Sequence, residues 1–285
     1  MTATDSSPVD DVDDRPPPPR TPFLTAERIL SVVVPLVILV AVILLWDWYV
    51  RAYDIKPFIL PGPGLVAETL VKDWGTLSGA LLVTMEITFL ALLLALVGGT
   101  LLAVLMTQSK LFELALFPYA VILQVTPIVA IAPLILIYVR DTQSAVLLCA
   151  FIVTFFPILS NTIAGLKSVD HNLLNLFELY GASRWQTLLL LKIPAAQPYF
   201  FAGLRIGGGL ALIAAVVAEF AAGSAGAGSG LAFRILESQY RLNIPRLFAG
   251  LILLSATGVL VFWLTSLVSH LALRRWHESA LAREN

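Results

Sequence analysis

Six long apolar runs, separated by short polar stretches, dominate the chain. They extend from about Ile29 to Val50, Leu81 to Met106, Leu114 to Val139, Ala145 to Leu166, Pro198 to Phe220 and Leu247 to Leu273. Each is long enough to cross a hydrocarbon core of about 30 Å, which takes about 20 helical residues. Inside lipid every backbone N–H and C=O must be satisfied within the protein, so continuous runs of this kind predict helices. A transmembrane barrel would show short segments of alternating polarity instead. The expected fold class is all-α, a polytopic membrane helix bundle of about six transmembrane helices.

Two runs are irregular. The third carries Pro118, Pro127 and Pro133. Each proline removes a backbone donor and crowds the preceding turn, so this run is expected to kink and to pack inside the bundle. The fifth carries Gly203, Gly207, Gly208 and Gly209, then Ala211 and Ala215. Small residues four apart let helix backbones approach closely, and the same face could also line a pore.

The segment between the fourth and fifth runs is polar enough to be exposed, yet patterned. Leu173, Leu174, Leu176, Phe177 and Tyr180 are spaced for one face of a helix. Gly181 is placed to stop that helix in a left-handed cap. Ser183 can cap a second short helix over about Arg184 to Leu191, with Pro194 ending it. Such a pair of helices suits either docking of a soluble partner or a position in the headgroup layer.

Composition agrees with the membrane reading. The chain is 58% hydrophobic and 13% charged, where a soluble domain carries about 25% charge. A net charge of −1 gives no reason to expect nucleic acid as a partner. The single cysteine, Cys149, lies in an apolar run, and His171, His270 and His277 share no metal-site spacing, so no metal site is expected. Residues 1–28 combine Asp10, Asp11, Asp13 and Asp14 with Pro16 to Pro19 and read as a disordered cytoplasmic tail. The membrane domain then covers 29–276, and 277–285 form a C-terminal cytoplasmic tail. With both termini inside, ten Lys and Arg fall on the cytoplasmic side and seven outside, led by Arg274 and Arg275 at the last helix end.

The stretch from Gly181 to Pro198 resembles the cytoplasmic signature loop of binding-protein-dependent ATP-binding-cassette (ABC) permeases. That signature runs Glu-Ala-Ala, three residues, Gly, nine residues, Ile-x-Leu-Pro. Gly181, Leu191, Ile193 and Pro194 fall at its offsets, whereas Asn175, Leu176 and Phe177 occupy the Glu-Ala-Ala positions and Glu178 lies nearby but out of register. Leu60-Pro-Gly-Pro63, Gln124 to Pro133, Phe156 to Gly165 and Gly203 to Ile213 are similar to the branch importing nitrate, taurine, aliphatic sulfonates and small heterocyclic vitamin precursors.

The resemblance implies a type I importer permease with cytoplasmic coupling helices in a bacterial inner membrane. Asn175, Glu178, Gly181, Ala182, Ser183, Arg184, Leu191, Ile193 and Pro194 would form the loop that docks on a partner ABC ATPase. No phosphate-binding Gly-x-x-x-x-Gly-Lys-Ser/Thr loop occurs in the chain, so no cofactor is expected here, and ATP and Mg would be bound by that ATPase. The further partners implied are an extracytoplasmic substrate-binding protein, a second permease copy and membrane lipid. The glycines Gly223, Gly226, Gly228 and Gly230 read as a flexible extracytoplasmic connector.

Ionisable residues within spans are costly unless paired or hydrated, which makes them candidates for the translocation path. Glu86, Arg205 and Glu219 qualify, with Glu219 equally placed to anchor a loop. Gln124, Thr126 and Asn161 are polar candidates, with interhelical hydrogen bonding as their other reading. The chain is not expected to be an enzyme. An ATP-independent secondary transporter would explain the spans but not the loop.

Overall fold

The computed structural model describes residues 26–223 and 228–274. Residues 1–25 and 275–285, which include most of the expected tails, lie outside the described residues. Among the described residues all regular structure is helical. The order is α1 (Ala26–Ala52), α2 (Pro63–Lys72), α3 (Trp74–Gln108), α4 (Lys110–Val125), α5 (Ile128–Tyr138), α6 (Thr142–Lys167), α7 (His171–Leu179), α8 (Arg184–Thr187), a π-turn (Leu188–Lys192), α9 (Ile193–Ala222), α10 (Leu231–Tyr240) and α11 (Ile244–Leu273).

Five helical stretches are long and apolar enough to span a membrane, and the bent pair α4–α5 would make a sixth. The chain is thus a multi-pass membrane protein with an all-α bundle. Two stretches exceed the sequence expectation: α3 has 35 residues, and the continuous run Arg184–Ala222 has 39. At 1.5 Å per residue both exceed about 50 Å and must project beyond the hydrocarbon core.

The third run departs from its expected form. It is a break, not a kink: α4 and α5 meet at 102° around Thr126 and Pro127. Pro127 supplies no amide, and Thr126 turns inward on its own helix, its Oγ1 donating to the Ile122 carbonyl at 2.7 Å. The two halves, 16 and 11 residues long, reach only about 24 Å and 16 Å. They flank the bundle instead of filling it. Only Ala120 of α4 and Ala132 of α5 are buried.

The core is α6 against α9, with α3 packed on both. Missing side chains make the approach possible. A Cβ on Gly203 of α9 would lie 3.1 Å from the Asn161 Cβ and 3.3 Å from the Pro157 carbonyl oxygen of α6. A Cβ on Gly208 would lie 2.8 Å from Thr265 Cγ2 of α11. The glycine patch therefore packs two neighbours at once, whereas Gly209 meets nothing within 4 Å. Ala211 and Ala215 are wholly buried.

Buried hydroxyls are reconciled with this apolar core by bonding back to their own helices. Thr88, Thr154 and Thr162 each donate to the carbonyl four residues earlier at 2.7 Å. Helix α1 stands apart. None of its apolar window is buried, and it meets α11 near its end, where the Trp46 and Phe248 rings lie 5.8 Å apart.

Candidate functional site

At one end of the bundle the chain between α6 and α9 forms two capped helices. Asp170 starts α7 by accepting the Asn172 amide at 2.7 Å. The helix stops at Gly181, whose φ of +68° places it in the left-handed region. There the Ala182 amide reaches back to the Phe177 carbonyl and the Gly181 amide to Glu178, both at 2.9 Å. These are the two paired bonds of a Schellman cap. Ser183 and Gln186 then close a reciprocal capping box: the Ser183 amide donates to Gln186 Oε1 at 2.7 Å, and the Gln186 amide to Ser183 Oγ at 3.2 Å. The pattern Ser-x-x-Gln in the sequence carries that signal.

The second short helix ends differently from expectation. Pro194 does not terminate it. The chain widens into the π-turn Leu188–Lys192, in which the Ile193 amide reaches the Leu188 carbonyl, and runs on into α9. A π-turn shifts the hydrogen-bond register by one residue, which accommodates a proline without breaking the helix. The loop is thereby joined to the longest helical stretch of the bundle without a hinge.

Of the loop residues, Asn175, Glu178, Gly181, Ser183, Arg184 and Ile193 are exposed, and Ala182, Leu191 and Pro194 half-buried. The expected apolar face is divided. Leu174 and Phe177 turn inward, while Leu173, Leu176, Leu179, Tyr180 and Trp185 are exposed, Leu179 and Tyr180 at 84% each. Leu188, 2% exposed, pins the loop to the core. A cleft of about 320 Å³ opens between this loop and the end of α3, with Glu178, Arg184 and Lys192 on its rim. Glu113 ties the neighbouring helix ends together, bonding Lys167 at 2.7 Å and Lys110 at 3.3 Å.

The path candidates do not converge on one point. Arg205 lies on a face of α9 left uncovered by the chain, together with Ala202, Ile206 and Ile213. Glu86 and Gln124 are also exposed on this single chain. Asn161, half-buried, donates through Nδ2 to the Pro157 carbonyl at 2.7 Å. Thr126 lies at the α4–α5 break.

Glu219 is different. It is 4% exposed. One carboxylate oxygen accepts Thr84 Oγ1 of α3 at 2.7 Å, and the other accepts the Ala232 amide at the start of α10 at 2.9 Å. Thr84 Oγ1 in turn accepts the Leu231 amide at 2.8 Å. Three helices are thus fastened at one point. Gly230 lies against the carboxylate so closely that a Cβ would overlap it.

The glycine segment is therefore not a uniformly flexible connector. Gly223, at φ +54°, caps α9, and Gly230 is fixed by contact; Gly226 lies outside the described residues. Sequence reasoning missed Thr84 and read Gly230 only as part of a connector, because nothing local links positions 84, 219 and 230.

Helix α10 beyond this point carries a charge cluster. Arg234 bonds Glu237 at 3.0 Å and holds its carboxyl below the usual carboxylate range, with Arg241 adding to the effect at 2.9 Å.

Residues 95–274 match the family described as "Binding-protein-dependent transport system inner membrane component". The chain is 33% identical over 250 residues to the riboflavin transport system permease protein of Chloroflexus aurantiacus, covering 85% of this chain and 90% of that protein. It is 31% identical to the formylaminopyrimidine transport permease protein of Halalkalibacterium halodurans, covering 80% of this chain and 90% of that protein. A nitrate import permease protein of Leptolyngbya laminosa is 31% identical over 64% of this chain and 63% of its own length. Among solved structures, an amino acid ABC transporter crystallised with histidines superposes with a TM-score of 0.60 at 20% identity, covering 73% of this chain and 97% of that one. That likeness concerns the fold.

Proposed function

Because the chain belongs to the family of inner membrane components of binding-protein-dependent transport systems, we propose that it is the permease subunit of an ATP-driven importer in a bacterial inner membrane. The observation that carries this reading is the rigidly capped, exposed pair of helices at 171–187, fused without a hinge to α9. Its exposed leucines, Tyr180 and Trp185 form the apolar kind of patch that a protein partner covers.

That partner is an ABC ATPase, which binds ATP and Mg. Closure of its dimer pulls on the loop from Asn175 to Pro194, and the motion passes along α9 as rigid-body rocking. A second copy of the chain completes the pathway. The uncovered α9 face supports this, since an Arg205 directed at lipid would be costly, while one directed into a hydrated passage between two copies would not. Glu86, Gln124, Thr126, Asn161 and Glu219 are the further path candidates.

The permease domain covers about 29–276. Tails 1–28 and 277–285 are cytoplasmic, and the loops at about 54–80 and 221–245 meet an extracytoplasmic substrate-binding protein. The cargo is a small polar or anionic solute, with relatives named for riboflavin, formylaminopyrimidine and nitrate marking the range.

Co-expression with the candidate ATPase tests the reading. The expected result is a complex of two permeases and two ATPases whose ATP hydrolysis responds to the loaded binding protein, and which is lost in Gly181→Arg. Transport by the chain alone, with no ATPase bound, would replace it with a secondary carrier.

A further inference from the structure

Glu219 is a buried carboxylate without a basic partner. It is 4% exposed, and both of its bonds come from neutral donors, Thr84 Oγ1 at 2.7 Å and the Ala232 amide at 2.9 Å. The cations of the adjoining α10 and α11 are engaged elsewhere. Arg234 and Arg241 bond Glu237 at 3.0 and 2.9 Å, and Arg246 lies 3.4 Å from Asp73. A carboxylate enclosed in this way is strongly unfavourable unless a positive charge is placed beside it.

Room for such a charge exists at the same carboxylate. A cavity of about 20 Å³ lies between the end of α9, the start of α6 and the turn that leads into α10. A single water-sized particle needs about 10–15 Å³. The polar part of the wall is made by Glu219, Thr142, Gln143 and Ser229, with the backbone of Gly228 and Gly230 beside them. The two glycines keep the space open. A Cβ on Gly228 would lie 3.0 Å from Gln143 Nε2, and one on Gly230 would overlap the carboxylate itself. An ionised carboxylate has about four acceptor positions, and Thr84 and Ala232 occupy two of them.

We propose that this cavity binds one alkali-metal cation, held by the Glu219 carboxylate with the neutral oxygens of Thr142, Gln143 and the Gly228–Gly230 backbone. The donors are hard oxygens, and among the described residues no three of His, Cys, Asp and Glu come together, which speaks against a transition metal. One carboxylate balances one positive charge. Magnesium keeps several of its waters, for which the space is too small. A lone water would fill the volume without supplying charge. A proton would remove the charge at a cost: Thr84 Oγ1 already accepts the Leu231 amide at 2.8 Å, and its own hydrogen would be left only the Ala80 carbonyl at 3.4 Å.

The ion adds α6 to the helices fastened at Glu219. Thr142 and Gln143 are the first two residues of α6, so an occupied site ties its first turn to the end of α9 and the start of α10. This goes beyond the importer reading and does not depend on it.

The test uses the purified full-length chain in nanodiscs at neutral pH, with radiolabelled sodium and rubidium as probes and choline chloride holding the ionic strength. Saturable binding of one or both ions is expected, displaced by unlabelled alkali chlorides and not by choline. Glu219→Gln should abolish it while keeping the junction, because the carboxamide oxygen can take the Ala232 amide and the nitrogen can donate to Thr84. Retained amide protection at 231 and 232 checks that the junction survives. Gln143 is exposed, so Gln143→Ala should leave the bundle intact and weaken binding about tenfold, the effect of one lost polar contact. No saturable binding of either ion would give the cavity to a proton or a water and overturn the assignment. Binding unchanged in both variants, or displacement by calcium at lower concentration than by sodium and rubidium, would overturn it as well.

Discussion

Thr84 on α3 and Glu219 on α9 are 135 residues apart in sequence, and the hydroxyl of one donates to the carboxylate of the other at 2.7 Å in a buried setting. The same hydroxyl accepts the Leu231 amide at 2.8 Å. Thr84→Val keeps the shape and removes both bonds. It leaves a carboxylate oxygen and an amide enclosed without partners, each costing about 1–3 kcal/mol. The expected outcome is a clear drop in thermal stability in detergent, with faster amide exchange at the start of α10. Unchanged exchange at 231 and 232 would mean that α10 is held by its apolar contacts alone.

Gly230 offers a second, steric test of the same junction. A Cβ at this position would overlap the Glu219 carboxylate. Gly230→Ala should therefore destabilise the protein by more than 1 kcal/mol, a cost typical of overpacking a filled site. Gly64→Ala is the control, because no atom lies within 4 Å of a Cβ there. In helix α2 that change should be neutral or stabilising by up to about 1 kcal/mol. Equal melting temperatures for the two variants would show that the carboxylate moves aside freely.

The charge cluster on α10 gives a pH dependence with a definite sign. Arg234 is the main cause of the lowered Glu237 carboxyl, with Arg241 adding to it. A carboxyl whose value is lowered on folding contributes stability above the ordinary carboxylate range, and loses it as pH falls through the lowered value. Amide protection along Leu231–Tyr240 should therefore hold from neutral pH to about pH 5 and weaken only in stronger acid, near and below the usual carboxylate value of about 4.3. Glu237→Gln should remove that acid step. An acid step of the same size in Glu237→Gln would assign it to another group.

The helices were legible from the sequence because their signals are local. Apolar runs of membrane length, Ser183 as a cap ahead of Arg184, and Gly181 at a left-handed cap each declare themselves within a few residues. What escaped were relations across the fold. The carbonyl-bonded Thr126 and the proline after it gave a break of 102° where the apolar run and its three prolines suggested one kinked span. Pro194 looked like a terminator, yet a π-turn upstream carried the helix through it. The Glu219 junction needs residues from three helices, and no spacing rule joins positions 84, 219 and 230.

The loop caps should report on coupling before they report on folding. Ser183→Ala removes the side-chain half of the capping box, worth about 1 kcal/mol of local helix stability. Because α8 has no buried residue, the bundle should melt within a degree or two of wild type. Docking on an ATPase should weaken, read as a lower yield of complex at a fixed subunit ratio. Ser183→Asp, which restores a cap, should recover it. A stable complex with Ser183→Ala and wild-type hydrolysis would place the coupling contacts on α7 and its Schellman cap instead.

Arg205 tests whether the uncovered α9 face belongs to the pathway. The residue is exposed on the single chain, beside Ile206 and on the same face as Ile213. If that face lines a hydrated passage between two copies, Arg205→Ala should leave the assembled complex intact and lower substrate-stimulated ATP hydrolysis several-fold. Arg205→Lys keeps the charge and should retain part of the stimulation, which separates electrostatics from packing. If the side chain instead reaches the headgroup layer along its methylene stem, Arg205→Ala would change lipid dependence alone. Stimulation and transport at wild-type levels in Arg205→Ala would then remove this residue from the path. The passage would have to be sought along Glu86 and the α4–α5 break.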